Sequence, residues 1–345
     1  MLSARTQERI LKVSRMSKMW LVFLLCWVAP SVAQTYEVID LGTLGGAASF
    51  AEAINNLSTV VGGSYTDEGL TRAFIWESGV MKDLGSRKPT QCYARGISDR
   101  GTVCGTIYPN PRSGGRGFVK KDGRWIVLGT FGGDYGYANA VNNRDEVVGG
   151  AAFRLRHSAW SFTHAFLWKE RELIDLGTLG WDWSYATDIN DLTQVVGEAG
   201  FLGGSHAFCW EGGRMTDLGT LGGEVSGATS INNLGQVAGF AADASGKIHA
   251  CLWQDRVITD LGTLGGAQSW AMSINDHGQT VGFSDAANAC WHAFIHDEQG
   301  MHDLNMEVAP TEWVVWAAVE INNCGEIVGF AVKDGATHAV LLSPK

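Results

Sequence analysis

Histidine and aspartate recur at a fixed interval along this chain. His164 precedes Asp175 by 11 residues, and the same spacing separates His206 from Asp217, His249 from Asp260, His292 from Asp303, and Arg72 from Asp83. Repeated imidazoles and carboxylates are the raw material of metal centres and of acid–base pairs. Their surroundings argue for a different use. Each basic residue opens a short apolar stretch such as "HAFLW", and each aspartate closes the next one, before "LG". A tight hairpin between the two stretches sets both side chains diagonally across neighbouring strands on one face, where an ion pair or hydrogen bond forms. A structural lock is therefore expected, with neither a metal ion nor a cofactor. The second unit lacks it, because Arg116 faces Val127. At the chain ends the same rule sets His338 against Asp40.

A second set of residues varies where its surroundings do not. Four residues before a recurrent Ile-Asn pair or its variants stand Phe50, Tyr93, Tyr137, Tyr185, Gly227, Trp270 and Ala317, with Trp316 beside the last. These positions follow the crossing into an inner strand and are expected at one mouth of a central channel. Asp134, Asp182, Trp183, Glu224 and Trp313 fall in the same crossings. Aromatic faces beside carboxylates suit a sugar, a peptide or a cation; the competing role is that of wedges between packed neighbours. A longer connection adds Arg154, Arg156 and His157 with Trp160, and variable loops on a rigid scaffold often carry binding. The opposing reading is a hydrolase or lyase using Asp134, Asp182 and Glu224, but no nucleophile motif, metal signature or acid–base pair accompanies them. The "GTLGG" segments lack the strand-to-helix setting of a phosphate cradle and read as tight crossings. Trp76, Trp168, Trp210 and Trp253 read as packing residues.

These residues need a scaffold, and the repeats supply it. "DLG" or a variant recurs at Asp40, Asp83, Val127, Asp175, Asp217, Asp260 and Asp303, in steps of 42 to 48 residues. "IN" or a variant follows, then "VG" ending at Gly62, Gly105, Gly149, Gly197, Gly239, Gly282 and Gly329, then the "HAF" phrase. Every signature has strand chemistry and is bounded by turns such as "NNLGQ". Four short strands in a period near 43 fit a β-propeller blade. The expected fold is all-β: a seven-bladed propeller of four-stranded blades over residues 34–345. Within a blade the order runs from the "IN" strand innermost, through "VG" and "HAF", to "DLG" outermost. The chain opens with "YEVIDLG" and finishes with "HAVLLSPK", each holding what the other lacks, so Tyr36–Leu41 is expected to pair with His338–Leu342 and close the ring.

The sequence has 345 residues and a net charge of −10, with 45% hydrophobic and 18% charged residues. Residues 1–33 carry Arg5, Arg9, Lys12, Arg15 and Lys18 against Glu8, so the remainder is more acidic still. Such a body has no footprint for a phosphate backbone, which argues against nucleic acid. The basic start, the apolar run "WLVFLLCWVA" and the small residues Ser31 and Ala33 read as a signal peptide cut after Ala33. The run is too short to span a bilayer, which takes about 20 residues. Translation starting at Met16 or Met19 would give a more ordinary signal length. An exported monomer, periplasmic or extracellular, is expected. Six further cysteines show no CxxC spacing; export permits disulfides, and Cys92 with Cys104 is the locally plausible pair.

Taken together, "HAFLW", "DLGTLGG" and "INxxGQVVG" resemble the repeats of the bacterial HAF family of extracellular proteins. The resemblance covers essentially the whole chain after the signal, with its weakest point at the second unit, where "RGFVK" and "VLG" stand in. It implies export and a repeat fold and brings no catalytic residues. The function expected is a secreted, non-enzymatic binding or scaffolding module with its glycan, peptide or envelope ligand at one rim; a purely structural envelope protein is the other non-catalytic reading.

Overall fold

The computed structural model describes residues 35–85, 91–109, 114–154, 162–201, 203–309 and 311–345. The signal-peptide expectation and Arg156, His157 and Trp160 lie outside them. Among the described residues strands dominate, and the one short helix is Leu304–Glu307. The strands follow the repeat. Gly45–Ile54, Val60–Thr66, Thr71–Glu77 and Val80–Asp83 pair in sequence order as an antiparallel meander. Five sheets have four strands. A sixth has eight, because two such meanders, with inner strands Ser184–Ile189 and Gly222–Ile231, are joined by a single parallel bridge from Ser205 to Val225. One four-stranded sheet is built from both ends of the chain: Tyr36–Asp40 pairs with Ala336–Pro344, running from Tyr36 opposite Pro344 to Asp40 opposite Val340.

Two glycine positions show why the repeat is written as it is. In the "VG" strand, a Cβ on Gly62, Gly105, Gly149, Gly197, Gly239, Gly282 or Gly329 would lie 2.0–2.2 Å from a carbonyl oxygen of the inner strand. The inner strand bulges there, with register shifts at Ala51/Ala53 and Ala271/Ser273 and their counterparts, so the two backbones come too close for a side chain. In the "NNLGQ" turn, Gly235 has φ +77°, a conformation glycine adopts without penalty.

The core lies between sheets. Phe74, Phe118, Phe166, Phe208 and Phe294 of the "HAF" strands are at most 1% exposed, each contributing roughly 1.5–3 kcal/mol by burial. Trp76 packs with Val328, Ala339 and Leu341 of the terminal sheet, and Trp253 with Val196 and Ala207 of the preceding one. Trp168 and Trp210 pack on similar seams. The six cysteines among the described residues are free, which corrects the Cys92–Cys104 expectation. Cys92 is buried against Ala73 and Leu84, whereas Cys104 packs with Val141 and Val147; they serve different seams. No helix among the described residues is long and apolar enough to cross a membrane.

Candidate binding site

The repeated polar residues close a circuit in four of the units. His249 Nδ1 lies 2.8 Å from Asp260; the other carboxylate oxygen of Asp260 accepts from the Gly262 amide. Ser269 donates to the Gly262 carbonyl and accepts from the Ala250 amide. The circuit begins and ends on one hairpin and passes through a serine of the next sheet. His164–Asp175, His206–Asp217 and His292–Asp303 repeat the first contact at 2.6–3.0 Å, and Arg72–Asp83 has its ionic equivalent. His338 meets Asp40 at 2.9 Å, and Ala339 donates to Ser49. The histidine and aspartate of each repeated pair are thus engaged in joining strands.

The Ile-Asn motif makes a second circuit. Asn232 Oδ1 accepts from the Leu234 and Gln236 amides of its own turn, while its Nδ2 donates to the Asn275 carbonyl of the next unit. One residue later, each backbone amide donates to the neighbouring side chain: Asn56 to Asp99, Asp99 to Asn143, Asn143 to Asp191, Asp191 to Asn233, Asn233 to Asp276, Asp276 to Asn323, and Asn323 back to Asn56. The series returns to its origin. Each of the seven bonds is 2.8 or 2.9 Å.

Above this floor the inner strands enclose a cavity of about 500 Å³. Its wall carries Glu52, Arg95, Asn139, Thr187, Asp188 and Glu320 with Tyr137 and Tyr185. Asp188 and Glu320 immediately precede an isoleucine after the bulge and cap the next unit: Asp188 Oδ2 accepts from the Ile231 amide and the Ser230 hydroxyl, and Glu320 accepts from the Ile54 amide. Burial raises the Asp188 carboxyl above its ordinary range despite those bonds. Glu320 is pushed up to about 8, by burial first and then by the charges of Asp188 and Glu52. Burial also raises Glu52, against the pull of Arg95. Buried surroundings push the Tyr137 hydroxyl up to about 12. Tyr185 donates to Glu198 and is raised as well, by burial and then by that carboxylate.

Of the residues chosen from sequence, Tyr137 and Tyr185 reach the cavity. Phe50 packs edge-on against Tyr65 and Phe330, and Tyr93 against Tyr108; Trp316 lies tilted against Phe330, and Trp183 stacks on Tyr185. Trp270 stacks on Phe283. Trp313 sits by His338 and under Lys333. Asp134 and Glu224 are exposed near the starts of inner strands and Asp182 in the crossing before Ser184, apart from the cavity wall, and Arg154 is exposed at a strand end. The sequence reading missed Glu52, Asp188, Glu320 and Arg95. What marks them in the sequence is charge at the residues just before the isoleucine, where aromatic variation is absent.

No family model matches the chain, and no curated protein matches it significantly. Solved structures do. A puromycin-hydrolyzing peptidase of Mycobacterium tuberculosis aligns with a TM-score of 0.51 at 13% identity, over 86% of this chain and 51% of its own. The β-propeller domain of the trilobed protease from Pyrococcus furiosus aligns at 0.49 and 11%, over 74% and 81%. The Aleuria aurantia lectin, in complex with a fucosylated N-acetylglucosamine, aligns at 0.38 and 8%, over 78% and 94%. At these identities the likeness concerns the fold alone. The class is all-β, and its structural neighbours include a β-propeller domain.

Proposed function

We propose that the chain is an exported, seven-bladed β-propeller of HAF-type repeats that acts as a non-enzymatic binding or scaffolding module. Seven repeats, the pairing of Tyr36–Asp40 with Ala336–Pro344, and a hydrogen-bond series that returns to Asn56 support a closed ring. The observation that carries the function is the cavity. Two tyrosines, a guanidinium and the carboxylate of Glu52 face a space within the usual size range of small-ligand sites, about 300–1,000 Å³. A fragment of a glycan or peptide, or a piece of the cell envelope, fits such a mixed lining. The carboxylates of the enzymatic alternative, Asp134, Asp182 and Glu224, are exposed and do not line the cavity.

The test is binding of the purified chain to arrays of glycans, peptides and envelope fragments, beside an Arg95→Ala, Tyr137→Ala, Tyr185→Ala variant. Loss of a bound ligand by a folded variant supports the channel as the site. Undiminished binding, or turnover of a bound compound that Glu320→Gln abolishes, overturns the reading.

A further inference from the structure

A second surface departs from the repeat in a way that the channel ligand does not explain. On the inner and "VG" strands, directly paired positions share one volume. Phe50 faces Gly63, Tyr93 faces Thr106, Tyr137 faces Gly150, Gly227 faces Phe240, and Ala317 faces Phe330. A large side chain on one strand meets a small one on the other. Two units depart from this: in the fourth Tyr185 faces Glu198 and donates to it, and in the sixth two rings face each other, Trp270 opposite Phe283, stacked at 5.4 Å. Trp291 then joins them, 5.4 Å from Trp270 and 5.5 Å from Phe283. The residue before the basic position of the "HAF" strand is Thr71, Gly115, Thr163, Ser205, Ile248 or Thr337 elsewhere. Trp291 is the aromatic exception, and it is 39% exposed.

The residue paired with Trp291 is also exceptional. Asp285 occupies a place filled by Tyr65, Ala152, Gly200, Ala242 and Val332 in other units. A direct cross-strand pair puts both side chains on one face, with Cβ atoms about 4.5–5.5 Å apart. The aspartates of the "DLG" motif, by contrast, hold a basic side chain and a turn amide, as Asp260 holds His249 and Gly262. Asp285 is half-buried, and its carboxylate has no hydrogen-bond or ionic partner among the described residues. An indole stands out of an aromatic stack, beside an acceptor with nothing to accept.

We propose that Trp291 and Asp285 form a second binding site, for a pyranose residue of a saccharide. The C–H face of the sugar lies on the indole, and vicinal hydroxyls donate to the Asp285 carboxylate. A methylated ammonium group would need rings around a void. Here the three rings touch one another, so only the outer face of Trp291 is offered. Trp270 and Phe283 hold that indole at a fixed angle, which reduces the entropy lost on binding.

The deciding experiment uses the full mature chain against an oligosaccharide array, followed by titrations of the bound saccharides. Four variants run alongside: Trp291→Ala, Trp291→Phe, Asp285→Asn, and the channel variant Arg95→Ala, Tyr137→Ala, Tyr185→Ala. A saccharide is expected to bind about ten-fold more weakly to Trp291→Ala. Asp285→Asn is expected to weaken it several-fold, and Trp291→Phe and the channel variant to keep most of it. Trp291 lies at the surface, so its variants are expected to fold, and circular dichroism checks that they do. Saccharide binding that survives Trp291→Ala but fails in the channel variant overturns this site while supporting the channel. Binding of choline in place of any saccharide, or of no array member at all, overturns it as well.

Discussion

Ser269 shows what a repeated small residue does in this molecule. Its hydroxyl bonds both the Ala250 amide and the Gly262 carbonyl across a sheet seam. Removing it leaves a buried amide unpaired, at a cost of about 1–3 kcal/mol. Ser269→Ala is expected to lower stability to chemical denaturation by that amount, whereas Ser245→Ala on an exposed turn stays within about 0.5 kcal/mol. At Glu320 the burden is electrostatic. Its carboxyl titrates near 8 in the folded chain against an ordinary 4.5. As pH rises from about 4.5, the unfolded chain loses this proton first, so Glu320 makes the fold progressively less stable until pH 8. Glu320→Gln keeps an oxygen for the Ile54 amide and is expected to stabilise by a few kcal/mol at pH 8 and by almost nothing below pH 4.5. Equal effects in denaturant melts at both pH values would refute this. The His–Asp locks were legible because one spacing recurs. The carboxylates of the cavity were not, since the bulge after Ala51 and its counterparts shifts strand parity by one residue and changes which side chains face inward.

The inner strand is the element on which each unit depends, and its bulge sets the demand for glycine in the strand beside it. Gly282→Ala would drive a Cβ to 2.0 Å from the Trp270 oxygen. The ladder between the two strands must then open, since backbone rather than a flexible side chain is in the way. A loss of about 3 kcal/mol or more is expected, large among single substitutions. Gly246→Ala, at a turn with open space around it, is expected to cost only about 1 kcal/mol, from its positive φ. Comparable melting temperatures for the two variants would show that the close approach is not rigid. Strand order and hairpins were readable because "HAF" and "DLG" always follow one another across a short turn. The parallel bridge from Ser205 to Val225 was not readable: it depends on how closely two meanders approach, and no local pattern encodes that distance. Nor was the short helix at Leu304–Glu307 anticipated. It forms where Asn305 replaces the positive-φ glycine that follows "DL" in other units, with Asp303 capping the Asn305 amide while also holding His292.

At the scale of the whole molecule, the proposed ring makes a demand that no single unit makes. Thr35 and Lys345 are adjacent, the Lys345 amide donating to the Thr35 carbonyl at 2.9 Å. The sheet they belong to is held by strand pairing and by the His338–Asp40 contact. Other units hold the equivalent hairpin with a covalent turn besides. The place where the chain is cut should therefore matter little, provided the cut falls in such a turn. A circular permutant that joins Lys345 to Thr35 through a short glycine linker and opens at the exposed turn Asp122–Gly123 tests this. It exchanges one strand-held closure for another in the unit that lacks the His–Asp lock, where Arg116 faces Val127. The permutant is expected to unfold in a single cooperative transition, with a midpoint a few degrees below that of the parent because that lock is missing at the new seam. Replacing Arg116 with His and Val127 with Asp at the new ends should recover part of the difference. If the permutant unfolds in two separate transitions, or if the paired replacement has no effect, the terminal sheet is not equivalent to the others and the seven units do not form one closed ring.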